Sequence, residues 1–120
     1  LLMLAESLNE AGQGPAALPY LNQVRTRAGL ANVTTTVQSD LRTIIAKERR
    51  IELAFENSRW LDLVRTKQAI PVLTQFGITQ KAKYGYMLPS AYTITENRYI
   101  YAIPFREMTI NTKLIQNNDY

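Results

Sequence analysis

Three glutamates in the middle of the chain have a spacing that suits carboxylate chemistry. Glu48, Glu52 and Glu56 follow one another at intervals of four residues, within a stretch that has helical periodicity. At about 100° per residue, this spacing brings the carboxylates to one side of a helix. Grouped carboxylates can bind a metal ion or act as a general acid and base. The three glutamates could therefore form a carboxylate site or serve a structural role.

The absence of histidine and cysteine argues for the structural role. It excludes Ser/His/Asp and Cys/His nucleophilic machinery, thiolate or imidazole zinc sites and disulfides within this chain. Di-metal carboxylate sites in helical bundles also recruit histidine. We therefore expect no metal, no cofactor and no catalytic residue. The glutamates are interpreted as part of a structural ion-pair network that comprises Glu48, Arg49, Arg50, Glu52, Glu56 and Arg59.

Composition indicates one ordinary globular domain. The chain has 120 residues, is 46% hydrophobic and carries a net charge of +4. Its lysines and arginines are scattered, so we expect no nucleic-acid partner. The sequence contains no run of eighteen apolar residues that would predict a membrane-spanning helix. Because it opens with an apolar helical pattern and has no cap or basic leader, we expect it to be a fragment.

The glutamates lie in the run that organises the chain, residues 41–65. Its apolar positions recur at three- and four-residue spacing and predict a helix that continues to Glu56. The expected buried stripe consists of Leu41, Ile44, Ile45, Ile51 and Phe55. Asn57 tolerates the left-handed conformation that ends a helix, so residues 59–66 are predicted to form a separate short helix. Trp60, within it, is interpreted as a packing residue.

Two shorter helices are predicted to precede this run. Residues 1–11 have Leu1, Leu4, Ala5 and Leu8 on one face and Asn9 on another. After a Gly-rich turn, a second helix is predicted to begin near Ala17 and to end at residue 28, before Gly29. Two helices joined by a short turn form an αα-hairpin that resembles a tetratricopeptide-type unit.

The last third of the chain is predicted to be less regular. A short helix is expected at residues 70–76, ending at Gly77, and an extended segment at residues 99–104. Residues 1–120 are expected to form a single piece, with residues 1–76 helical and residues 77–120 mostly loop and tail. Tyr84, Tyr86 and Tyr92 are candidate ligand-binding residues, since binding side chains concentrate on loops. The predicted fold class is all-α, with tetratricopeptide-like helix pairs and a long irregular C-terminal region.

Five segments in this order resemble the C-terminal part of the SusD/RagB family. They are LLMLAESLNEAG, YLNQVRTRAGL, ERRIELAFENSRWLDLVR, YAIPFREM and LIQNNDY, and together they cover nearly the whole chain. The third is the most specific. Asn57 stands where the family commonly has glycine, and alanine, threonine and asparagine stand at positions 102, 112 and 118, where it tends to have proline.

The resemblance implies a non-catalytic, lipid-anchored protein on the surface of the cell outer membrane. Such proteins capture oligosaccharides, or in some members peptides, and deliver them to a SusC-type TonB-dependent transporter. The family's lipidated cysteine would lie upstream of Leu1. A tetratricopeptide-like module for binding protein or peptide remains the alternative. An enzyme with paired acids is disfavoured, because nothing in the sequence places two carboxylates across a cleft.

Overall fold

The computed structural model describes residues 1–120 and contains helices but no β-strand. The α-helices are α1 (Leu2–Glu10), α2 (Gly14–Arg27), α3 (Gln38–Glu52), α4 (Arg59–Arg65), α5 (Ala69–Lys83) and α6 (Phe105–Ile110), and a 3₁₀ helix spans Glu96–Tyr99. The all-α prediction is confirmed. The chain divides into two compact units, Leu1–Arg59 and Trp60–Tyr120. We call them the helical unit and the loop unit.

The helical unit packs α1, α2 and α3 around an apolar core. Leu2, Ala5, Ala17, Leu21, Val24, Leu41 and Ile45 are buried there. Arg25 and Arg27 of α2 pair in order with Glu48 and Glu52 of α3, so these two helices run in the same direction. α1 runs opposite to α3, since Glu10 pairs with Arg42 near the start of α3 and Glu6 with Arg49 near its end.

An extended segment, residues 30–37, makes the parallel arrangement of α2 and α3 possible. In the turn that ends α2, Gly29 has a left-handed φ of 71°, and Leu30 N–H donates to the Arg25 carbonyl at 2.9 Å, as in the expected helix ending. The segment then runs back along α2, where the Asn22 side chain bonds the backbone N–H and C=O of Val33 at 2.8 and 2.9 Å. α3 therefore begins beside the start of α2.

The predicted buried face of α1 is partly wrong. Leu2, Ala5 and Asn9 are buried, whereas Leu1 and Leu4 are exposed. α1 is therefore rotated about its axis relative to the predicted orientation, and a polar contact explains this rotation. The Asn9 amide donates to the Gln38 carbonyl at 3.1 Å, and the Gln38 side chain donates to the Asn9 carbonyl at 2.7 Å. Burial of this contact joins α1 to the first turn of α3, an interaction that apolar periodicity cannot indicate.

The predicted start of α2 is also wrong, because the helix begins at Gly14 and includes Pro19. Pro15 lies in the first turn, where its missing N–H costs nothing. Pro19 comes one turn later and removes a single backbone hydrogen bond. Gly14 is required for packing, since a Cβ there would lie 2.6 Å from the Thr36 carbonyl oxygen.

The central helix ends earlier than predicted, at Glu52 instead of Glu56. A turn follows in which Phe55 and Asn57 both adopt left-handed conformations, with φ of 69° and 56°. The left-handed conformation of Asn57 agrees with the sequence-based prediction. Ile51 and Phe55, predicted to belong to the buried stripe, are exposed. Phe55 lies outside the stripe because the helix that would have aligned it with Leu41 stops before it. The separate short helix is confirmed as α4.

In the loop unit, α5 continues past the predicted end at Gly77 and reaches Lys83. Gly77 has a packing role: a Cβ at this position would lie 2.7 Å from Cβ of Tyr92. The helical part of the chain thus extends beyond residue 76, and a short helix and a 3₁₀ turn interrupt the region predicted to be loop. The only buried residues in this unit are Leu63, Ala69 and Gly77, so its apolar core is small.

Candidate functional site

The candidate binding site lies where α5 ends and the following loop begins. Tyr84 is the C-cap of α5, and its N–H donates to the Gln80 carbonyl at 2.8 Å. A turn closes when Met87 N–H donates to the Tyr84 carbonyl at 3.2 Å. This turn brings the rings of Tyr84 and Tyr86 together, with centroids 5.8 Å apart and planes tilted by 42°. We call these two rings the tyrosine pair.

The tyrosine pair combines an exposed aromatic surface with a nearby cation. Tyr86 is 81% exposed, whereas Tyr84 is half-buried and supports it. Lys83 places its ammonium nitrogen 5.0 Å from the centre of the Tyr84 ring. The ammonium group of Lys81 instead donates to the Pro89 carbonyl and so anchors the loop. An exposed tyrosine offers an apolar face and a polar hydroxyl, which suits a ligand such as a sugar ring that has both characters.

Tyr92 does not belong to this pair. Its ring packs edge-to-face against Phe76, with centroids 5.1 Å apart and an interplanar angle of 85°. The same side chain packs against Gly77, and the residue holds a left-handed φ of 62°. Tyr92 therefore fastens the loop to α5. Trp60 likewise packs within the loop unit, edge-to-face on Tyr99 at 6.4 Å.

Two of the three regularly spaced glutamates, Glu48 and Glu52, pair with arginines of α2. Glu48 is 6% exposed and accepts a hydrogen bond from Arg25 of α2. Glu52 accepts from Arg27 of α2 at 2.5 and 2.6 Å, and both of these side chains are more exposed. Both of these arginine partners belong to α2.

The other members of the predicted network lie at several places along the chain. Arg49 pairs with Glu6 of α1 at 3.8 Å. Arg50 and Glu56 are exposed, one in the last turn of α3 and the other in the turn after it. Arg59 is the first residue of α4. The early end of α3 separates Glu56 from the line of carboxylates on which the sequence placed it.

An ion pair that the sequence did not identify joins α1 to α3. Arg42 donates from Nε and Nη2 to the two carboxylate oxygens of Glu10, at 2.7 and 2.6 Å. The hydrogen bond from Arg42 lowers the pKa of Glu10, and the same contact raises the pKa of Arg42. These residues lie 32 positions apart, so no local spacing pattern could have revealed the pair.

The carboxylates are therefore distributed over separate interhelical contacts. No group of three or more histidine, cysteine, aspartate or glutamate residues is arranged to hold a metal ion. The pairs Arg25–Glu48 and Arg49–Glu6 join α3 to α2 and to α1. Such contacts set how helices align.

A groove lies at one end of the helical unit, between the start of α1 and the ends of α2 and α3. Its volume is about 630 Å³. The lining is mostly apolar, and its charged side chains include the paired Arg27 and Glu52; the lining residues are Leu1, Leu2, Met3, Gln23, Val24, Arg27, Arg49, Glu52 and Leu53. The groove can accommodate an apolar side chain, but its carboxylate is already paired.

None of the helices is both long enough and apolar enough to cross a lipid bilayer.

The structure is thus an all-helical protein with aromatic side chains exposed on a loop. The model of the SusD family matches residues 1–120, and the chain belongs to this family. The recognition made from the sequence is thereby confirmed.

Two curated relatives and one solved structure extend this result. SusD-like protein P2 of Formosa agariphila is 34% identical over an alignment 127 residues long, which covers 98% of this chain and 23% of that protein. SusD-like protein P38 of the same organism is 33% identical over an alignment 129 residues long, which covers 100% of this chain and 23% of the relative. The crystal structure of a SusD-like protein from Bacteroides fragilis is similar, with a TM-score of 0.72 and 28% identity over 99% of this chain and 24% of the other. The chain thus spans about a quarter of each relative.

Proposed function

We propose that the protein captures oligosaccharides without altering them and takes part in nutrient uptake. The observation that carries the proposal is the match of residues 1–120 to the SusD family, together with the exposed tyrosine pair in the loop unit. The distribution of the glutamates over separate ion pairs supports binding without catalysis. Glu48 and Glu52 are each paired with an arginine, Arg25 and Arg27 respectively.

In this proposal the tyrosine pair contacts the sugar. The exposed face of Tyr86 packs against the apolar C–H groups of a pyranose ring, and the Tyr84 ring holds Tyr86 in place. The ammonium group of Lys83 adds a hydrogen-bond donor for sugar hydroxyls beside the rings. Tyr92 contributes indirectly, because its packing on Phe76 fixes the loop that carries the pair.

We further propose that the protein acts at the surface of the outer membrane and passes its ligand to a SusC-type TonB-dependent transporter. Membership of the SusD family supports this location and this partner. Attachment to the membrane would come from a lipid anchor outside residues 1–120. Co-purification of the tagged protein with a transporter of this type from outer-membrane extracts tests the partnership, and its reproducible absence there would contradict it.

Two measurements on the intact protein test capture. A glycan array that includes neutral and acidic oligosaccharides should show binding to a subset of related glycans. Chromatography of the bound glycan after prolonged incubation should return it unchanged. Release of shorter sugars would contradict a non-catalytic role, and failure to bind any glycan would contradict glycan capture.

The groove of the helical unit favours a second candidate, the binding of a peptide by the tetratricopeptide-like helices. Its apolar lining and volume of about 630 Å³ suit a large apolar side chain of such a peptide. A peptide array tests this function. Retention of peptides and not of glycans, weakened by Leu53→Ala, would favour the second candidate over the first.

A further inference from the structure

The segment that carries the tyrosine pair is basic and contains no acidic residue. Between Asp62 and Glu96 the sequence has no aspartate or glutamate, but it includes Lys81 and Lys83 in the last turn of α5, directly before the pair. A cation attracts an anionic ligand most strongly where no neighbouring carboxylate neutralises it. Because the segment itself supplies no such carboxylate, its charge favours a negatively charged ligand.

The two lysines differ in what their ammonium groups contact. Lys81 donates to the Pro89 carbonyl, so it is engaged in anchoring the loop. Lys83 is exposed, no carboxylate pairs with it, and its nitrogen lies 5.0 Å from the centre of the Tyr84 ring. Contact with a ring face leaves ammonium N–H groups available to a second partner. Lys83 is thus the cation that a ligand bound at the tyrosine pair would meet.

The helix dipole alone does not account for the charge at the end of α5. The C-terminus of a helix carries about half a unit of negative charge, which a lysine in the last turn offsets. α5 has two lysines in its last turn. Their combined charge exceeds that of the dipole, so this helix end is positive overall and not neutral.

Space for a ligand is open beside the tyrosine pair. Gly85 separates the two tyrosines in the chain, and a Cβ at Gly85 would meet no heavy atom within 4 Å. The exposed Tyr86 ring has its centre 5.8 Å from that of Tyr84. A ligand of disaccharide size that stacks on Tyr86 can therefore bring an acidic substituent to the Lys83 ammonium group beside Tyr84.

We propose that the tyrosine pair and Lys83 together select oligosaccharides that carry negative charge, as uronate carboxylates or as sulfate esters. This inference rests on the proposed capture of oligosaccharides and adds the class of sugar that is captured. Tyr86 packs against the sugar ring, and Lys83 pairs with the anionic group. An ammonium is a compact charge without the planar two-point geometry of a guanidinium, so it accepts either anion. Lys83 is therefore the specificity-determining residue of the site.

A glycan array with matched charged and neutral forms gives the first test. It holds oligosaccharides of galacturonate, of glucuronate and of sulfated galactose, each beside its neutral methyl ester or its desulfated form. The intact protein should bind a charged form most strongly, and the array shows whether this form carries carboxylate or sulfate. Calorimetry then measures the affinity for that glycan and for its neutral counterpart. Raising the salt from about 0.01 M to about 1 M shortens the Debye length from about 30 Å to about 3 Å and should weaken only the binding of the charged form.

Variants of Lys83 separate recognition of charge from support of the Tyr84 ring. Lys83→Gln should weaken binding of the charged glycan by about fivefold and keep that of its neutral counterpart within about twofold. Lys83→Arg retains the charge and should keep both affinities within about twofold. Lys47→Gln, the same change at an exposed lysine of α3, is the matched control and should alter neither.

The outcomes distinguish this inference from the proposed function. Strongest binding to neutral glycans would overturn the selection of charged sugars and leave glycan capture standing. An equal loss for the charged and neutral forms in Lys83→Gln would also overturn it, because the lysine would then only support the ring. Failure to bind any glycan on the array would overturn both proposals.

Discussion

The helical unit and the loop unit are stabilised in different ways. Leu21 and Leu41 of the helical unit are fully buried, with 0% exposure, and belong to one apolar cluster. The loop unit buries few residues and is held by ring contacts such as Phe76 with Tyr92 and by side-chain amides of residues 116–120, which we call the polar tail. Burial of apolar area gives the larger contribution to stability. In the proposed function, the groups that contact the ligand belong to the less buried loop unit.

Charged groups show the same contrast. In the helical unit, ion pairs such as Arg25–Glu48 join different helices, and Glu48 is buried. In the loop unit, the charged contacts lie at the surface, as with Asp119 and Arg98. Removing a charge should therefore have a greater effect in the first unit than in the second.

The largest expected effect is loss of stability from a cavity in the helical core. Leu41→Ala removes a fully buried side chain and should lower the free energy of unfolding of the helical unit by about 2–5 kcal/mol. Ile51→Ala, on the same helix but exposed, should change it by less than about 0.5 kcal/mol. Chemical denaturation followed by far-ultraviolet circular dichroism measures both. Equal losses in the free energy of unfolding for the two substitutions would contradict the assignment of Leu41 to the core and Ile51 to the surface.

A smaller loss should follow removal of the buried carboxylate. Glu48→Ala leaves Arg25 without its partner and should lower the free energy of unfolding by about 2–3 kcal/mol. Glu52→Ala is the matched control, for which the sequence alone would suggest a comparable loss. Because Arg27 is 67% exposed and Glu52 33%, solvent screening should limit that loss to less than about 1 kcal/mol. A larger effect at Glu52 than at Glu48 would contradict this account of the ion pairs.

In the loop unit, the packing of Gly77 offers a matched pair of glycine substitutions. Gly77→Ala places a Cβ 2.7 Å from Cβ of Tyr92 and should destabilise the unit by about 1–3 kcal/mol, although alanine is otherwise the better helix former. Gly85→Ala meets no heavy atom within 4 Å and should be close to neutral. Thermal unfolding followed by Trp60 fluorescence reports on this unit. A stabilising Gly77→Ala would show that Tyr92 does not pack as described.

The smallest expected effect is electrostatic and concerns the polar tail. Hydrogen bonds from Asn97 and then Thr95 lower the pKa of Asp119 below its ordinary value of 3.8. A lowered carboxyl pKa means that the stabilisation is present above the unfolded-state value and is lost as the pH falls through the folded-state value. The tail contacts should therefore persist at neutral pH and weaken only in strong acid.

Carbon-13 titration of the Asp119 carboxyl group measures this pKa directly. Asn97→Ala should move it upwards, towards the ordinary value, because the largest cause of the shift is removed. A midpoint at or above 3.8 in the unaltered protein would contradict the hydrogen bonds drawn for the tail.

The sequence predicts the fold class and several elements because these depend on local patterns. Apolar periodicity identified the central helix, and the tolerance of asparagine for left-handed backbone identified the turn at Asn57. Periodicity could not show that the helix stops at Glu52 and leaves Phe55 exposed. The predicted end of α5, at Gly77, was wrong for a related reason. Glycine often ends helices, but Gly77 is needed where Tyr92 packs, 15 residues away.

The candidate site was predictable only in outline. Tyrosines in a loop of mixed composition suggested binding, yet only the structure separates the paired Tyr84 and Tyr86 from Tyr92. The roles of the glutamates depended on arginines of α2 that lie more than twenty positions away. Side-chain pairing across such distances follows from how helices pack, which local spacing does not encode.

The central claim is the proposal that the tyrosine pair of the loop unit contacts the ligand. It is tested most directly by the affinity of the intact protein for its best oligosaccharide on the array. Isothermal titration calorimetry of Tyr86→Ala should show binding weakened by about tenfold or more, with unfolding unchanged. Phe105→Ala, which removes an exposed aromatic ring outside the tyrosine pair, is the control and should keep the affinity within about twofold. Unchanged binding in Tyr86→Ala would contradict the central claim.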